Sequence, residues 1–85
     1  MPDRADIAQT VKSLCTETLG FDDLQDDEEF FDRGANSLTV VEMQIQLEKK
    51  LQMQVPTSSL MAAPSINGWI DAYTQAAANV DAAAE

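Results

Sequence analysis

Histidine is absent from this 85-residue chain. That excludes Ser-His-Asp and Cys-His nucleophilic sites and every imidazole metal ligand. Cysteine occurs once, as Cys15, so no internal disulfide can form and no thiolate pair is at hand for a metal. A reduced, cytoplasmic setting suits that usage. Bases are scarce, with 5 Lys and Arg against 15 Asp and Glu, for a net charge of -10. So acidic a surface repels phosphate backbones and anionic headgroups, and neither nucleic acid nor a membrane is expected as a partner. It attracts proteins that present Lys and Arg. No apolar run is long enough to span a bilayer, and nothing near Met1 has the pattern of a signal peptide. Gly and Pro number only 3 each, which leaves few helix breakers. Only Gln52 to Val55 alternates as a strand would, and it is too short to pair alone.

What is present is helical periodicity around one modest core. With 45% hydrophobic residues the chain is too apolar to be wholly disordered, and its length allows a single domain. Ile7, Val11, Leu14 and Leu19 recur at helical spacing, with Asp3 or Asp6 as the cap and Gly20 as the stop. Cys15 flanks that stripe as a buried small hydrophobe. Periodicity is then lost from Phe21 to Asn36, where acids accumulate and Phe21, Leu24, Phe30 and Phe31 are expected to pin an irregular loop. The calcium-loop pattern fails there. Counted from Asp22 its third position is Leu24, and counted from Asp23 its sixth is Glu28 rather than Gly. No metal site is expected.

Gly34-Ala35-Asn36 predicts a tight turn, followed by a helix that fades near Met53. Asn36, Ser37 and Thr39 are all competent caps for it, and Thr39 with Glu42 matches a capping box. On a wheel of about 100° per residue this helix carries two apolar stripes. Val40, Met43, Leu47 and Leu51 share one side; Leu38, Val41 and Ile45 share nearly the opposite side. A small core can absorb one stripe, which leaves the second for a partner. Residues 57 to 62 predict one short helix, stopped by Pro64. Ser65 can cap a last helix with Ile66, Trp69, Ile70, Tyr73 and Ala77 on one side, in which Gly68 allows close packing. The core is expected to draw on Ile7, Val11, Leu14, Val40, Met43, Leu47, Leu51, Ile66 and Ile70. The Ala-rich residues 79–85 are expected to be a flexible tail to a domain of residues 1–78.

Ser37 combines a hydroxyl, a turn and a helix N-terminus. As a catalytic nucleophile it has no histidine to take its proton, so a serine hydrolase is a remote reading. Two readings remain open. Ser37 is a helix cap in an unmodified acidic interaction module, or it receives a group. A phosphate esterified there would lie at the positive end of the helix dipole, beside free backbone N–H groups.

The run Phe30-Phe31-Asp32-Arg33-Gly34-Ala35-Asn36-Ser37-Leu38 resembles the attachment motif of the phosphopantetheine-binding carrier proteins. These are the acyl and peptidyl carriers of fatty acid, polyketide and nonribosomal peptide synthesis. The resemblance extends over nearly the whole chain and implies an all-α, small four-helix bundle of three main helices and one short one. It implies that Ser37 carries 4′-phosphopantetheine donated by coenzyme A, whose terminal thiol holds the cargo as a thioester. Leu38, Val41 and Ile45 match the family's partner-facing positions, Glu42 matches a recognition carboxylate, and Glu48 lies on the other flank. Lys49, close to the same face, interrupts its acidity.

The partners so implied are a phosphopantetheinyl transferase and the enzymes that load and process the acyl group: a ketosynthase, an acyltransferase or an adenylating enzyme. The chain itself would be a monomeric carrier and not an enzyme. Fatty acid carriers usually place Asp before the serine, and peptidyl carriers a second Gly followed by His or Asp. Gly34-Ala35-Asn36-Ser37-Leu38 is nearer the polyketide-type acyl carriers, and Met1 with short tails suggests a discrete one. A peptidyl carrier loaded with an amino acid is the alternative within the family.

Overall fold

The computed structural model describes residues 3–20 and 23–83, with the side chains of 79–83 outside the description. Four helices follow one another: α1 (Arg4–Leu19), α2 (Ser37–Leu51), α3 (Thr57–Ala62) and α4 (Ile66–Ala83). No strand occurs among the described residues. The expected all-α bundle of three main helices and a short one is the architecture found. Of the Ala-rich tail, residues 84 and 85 lie outside the described residues, and the backbone of α4 is helical as far as Ala83.

Local chemistry sets the ends of each helix. Asp3 caps α1 by accepting from the Asp6 N–H at 2.9 Å, and Gly20 closes it at φ 75° with its N–H on the Thr16 carbonyl. Ser65 Oγ accepts from the Gly68 N–H at 3.1 Å at the start of α4. Helix α2 ends at Leu51, two residues before the expected Met53, because Gln52 turns left-handed at φ 56° and donates to the Glu48 carbonyl. Met53 and Val55 then enter the core from a segment that is neither helix nor strand.

α1 packs on both α2 and α4, and α3 packs on α4. All nine residues expected in the core are buried, as are Cys15, Phe30, Leu60, Trp69 and Tyr73. Burial pushes the Cys15 thiol up from 9.0 to about 12, as an inert packed thiol requires. Gly68 lies where α4 passes the end of α3. A Cβ on it would fall 2.6 Å from the Ala63 Cβ and would also collide with the Ala63 carbonyl oxygen. Close approach of two backbones is therefore the reason for glycine here.

Candidate functional site

The site begins with the loop that delivers the chain to α2. Phe30 is fully buried, its ring edge-on to Trp69 with centroids 5.2 Å apart, and its N–H donates to the Pro64 carbonyl at 2.7 Å. Asp26 ties the loop on two more sides, accepting on its carbonyl from the Asn67 N–H at 2.9 Å and pairing with Lys12 of α1 at 3.2 Å. Of the aromatic and aliphatic anchors expected, Leu24 packs against the core but Phe31 does not; it is 37% exposed. Phe21 lies outside the described residues.

The acidic run is organised around a cation. Arg33 bonds Asp23 at 2.7 Å and Glu28 at 2.8 Å, and Glu28 Oε1 also accepts from the Gln25 N–H at 3.1 Å. The hydrogen bond from Arg33, and then its charge, holds the Asp23 carboxyl below the usual carboxylate range. Among the described residues no group of three or more His, Cys, Asp or Glu is placed to hold a metal.

From Phe30 to Arg33 the backbone makes one 3-10 turn, and Gly34 ends it at φ 92°. The N–H groups of Gly34 and Ala35 fold back onto the Phe31 and Phe30 carbonyls, each at 3.2 Å. Glycine is needed at this left-handed position. The turn brings Asn36 to an extended conformation at φ -109°, from which its Oδ1 accepts from the Thr39 N–H at 2.8 Å. Asn36 is thus the cap of α2. Ser37 is its first helical residue, and the Thr39–Glu42 capping box is not formed. The Ser37 side chain is exposed, and no described residue bonds its hydroxyl.

The second apolar stripe of α2 faces outward as its spacing predicted. Leu38 is 68% and Ile45 49% exposed, Val41 between them is half-buried, and Glu42 is exposed on the same side. Glu48 departs from this group. It is half-buried, and its Oε2 accepts from Gln44 Nε2 at 3.1 Å and the Val55 N–H at 3.2 Å. Sequence reasoning missed Gln44, which is buried. Its available signal was the i+4 step from Val40, which places an amide on the core stripe.

An exposed serine that no described residue bonds, on the first turn of a helix, delivered by a Gly turn and flanked by an open apolar stripe, suits a group attached and presented to other proteins. A family model described as the phosphopantetheine attachment site matches residues 9–73. The chain belongs to that family: it is a carrier protein whose prosthetic group is 4′-phosphopantetheine. A segment of the non-reducing polyketide synthase dbaI of Emericella nidulans is 31% identical over 77 residues, which are 88% of this chain. The chain spans 3% of that synthase. The fold is similar to that of BlmI, a type-II acyl carrier protein from Streptomyces verticillus involved in bleomycin biosynthesis. The TM-score is 0.71 at 22% identity, over 80% of this chain and 82% of that one. No helix among the described residues is long and apolar enough to cross a membrane.

Proposed function

We propose that Ser37 is the residue that bears the 4′-phosphopantetheine arm, and that the loaded chain shuttles acyl thioesters between the enzymes of a polyketide-type pathway. The observation that carries this reading is the division of labour at the start of α2. Asn36 does the capping, so the adjacent Ser37 hydroxyl is exposed and uncommitted. Phosphoryl transfer from coenzyme A would make a phosphate ester of Ser37 Oγ. The ester would lie where the first N–H groups of α2 and its dipole favour an anion. The thiol at the far end of the arm would hold the cargo.

In this reading the chain does no chemistry of its own, in keeping with the absence of histidine. Leu38, Val41 and Ile45 form the surface on which a phosphopantetheinyl transferase and then a ketosynthase or acyltransferase dock. Glu42 and the net charge of -10 steer basic patches toward it. Glu48, bonded inward to Gln44 and Val55, is left out of that contact. The polyketide assignment is supported by the similar segment of the Emericella nidulans synthase.

Intact-protein mass spectrometry tests the attachment. Wild type and Ser37→Ala are incubated with coenzyme A and a promiscuous phosphopantetheinyl transferase. The mass of one phosphopantetheine should be gained by wild type alone. A gain by Ser37→Ala, or none by wild type with several active transferases, would overturn the assignment.

A further inference from the structure

Arg33 is the one base that follows the run of acids from Asp22 to Asp32, and it stands four residues before Ser37. Its side chain is drawn back into the loop and is only 20% exposed. Nη2 donates to Asp23 Oδ1 at 2.7 Å and Nη1 to Glu28 Oε1 at 2.8 Å. One planar fork thus closes on carboxylates ten and five residues earlier. Glu28 is itself half-buried, and the Gln25 N–H shares its Oε1.

These bonds join two parts of the chain that are otherwise fixed separately. The loop of residues 23–28 is held from behind through Asp26, by Asn67 of α4 and Lys12 of α1. The turn of residues 30–34 is held by Phe30 against Trp69 and Pro64. That turn sets the direction in which Asn36 and Ser37 enter α2. Arg33 belongs to the turn and its partners to the loop. Without the guanidinium, Asp23 and Glu28 repel each other and Glu28 is left an unpaired, half-buried charge, so the loop loosens beside the turn.

We propose that Arg33 is a positioning residue for the modification of Ser37, holding the acidic loop and the serine-bearing turn in one arrangement that the transferase meets already ordered. The inference builds on the assignment of Ser37 as the attachment residue. Arg33 acts through the turn and does not handle the reacting atoms. Order present before docking need not be created during it. Its loss weakens binding of the protein substrate and of its transition state alike, which raises KM and leaves kcat in place. Net charge alone predicts the reverse. Removing a cation makes the chain more acidic than its present -10 and more attractive to a basic patch, so KM would fall.

Steady-state kinetics with coenzyme A and a promiscuous phosphopantetheinyl transferase test this on the full chain, as wild type, Arg33→Ala and Arg33→Lys. Far-UV circular dichroism establishes that each is folded at the assay temperature. In Arg33→Ala, KM should rise about tenfold with kcat within about twofold of wild type. Arg33→Lys keeps the charge but not the fork, and its KM should rise about threefold. The lysine variant carries the test should the alanine one not fold. An Arg33→Ala KM at or below the wild-type value would overturn the positioning role, as would a loss confined to kcat. A lysine variant equal to wild type would overturn the role of the fork. Wild type left unmodified by several active transferases would instead overturn the Ser37 assignment itself.

Discussion

Asn36→Ala and Ser37→Ala make a paired test of which residue supports α2 and which is free for modification. Replacing Asn36 removes the acceptor of the 2.8 Å bond from the Thr39 N–H and leaves an orphan donor on the first turn. Loss of such a cap costs about 1 kcal/mol, within a range of about 0.5–2. In a chain of 85 residues that lowers the melting temperature by roughly 4–8 °C. Replacing Ser37 removes an exposed hydroxyl with no described partner and substitutes the best helix former, so its effect should stay within about 0.5 kcal/mol of zero. Urea unfolding followed by far-UV circular dichroism measures both. Should Ser37→Ala lose as much stability as Asn36→Ala, the hydroxyl does structural work and the division of labour is wrong.

Gly68→Ala places a Cβ against the Ala63 carbonyl and Cβ, both backbone-anchored, and should destabilise the fold by about 1–3 kcal/mol in the same unfolding assay. Cys15 gives a pH prediction. Its folded pKa, raised by burial to about 12, lies above the unfolded 9.0, so the unfolded chain loses its proton first. Its contribution is therefore intact below pH 9 and is lost between 9.0 and about 12, with a slope approaching 1.4 kcal/mol per pH unit. Cys15→Ala, less stable at neutral pH, should show a shallower decline over that window than wild type; equal slopes would contradict a buried neutral thiol.

The helices were legible because their apolar residues recur at the helical period and their ends carry chemistry of known effect. Asp3, Gly20, Pro64 and Ser65 mark boundaries that the structure keeps. The cap of α2 was less so. Asn36, Ser37 and Thr39 have side chains of equal competence in sequence, and the choice falls to the backbone: Gly34 leaves the chain at the angle from which Asn36, and not Ser37, precedes the first helical residue. Phe30 and Phe31 are identical side chains on adjacent positions of a 3-10 turn, so they diverge in direction. One is buried against Trp69 and the other stays partly in solvent, and no periodicity in the loop could tell them apart.

Glu48 marks the limit of reasoning from a helical wheel. A wheel fixes where a side chain leaves the helix, but a glutamate has enough length to turn toward either flank from there. The decision depends on the available partners. Outward, Glu48 would meet water or a docking cation, at a gain of about 0–1 kcal/mol typical of an exposed pair. Inward, it meets an amide of Gln44 and the Val55 N–H, both of which would otherwise be short of an acceptor in a half-buried place. An unmet donor there costs about 1–3 kcal/mol, so the inward choice prevails. Those partners stand 4 residues before and 7 residues after Glu48, the second in a segment outside the helical pattern. Through Oε2 the carboxylate is therefore turned to Gln44 and Val55, and a side chain that the wheel places on the flank of the outer stripe ties α2 to the segment that follows it.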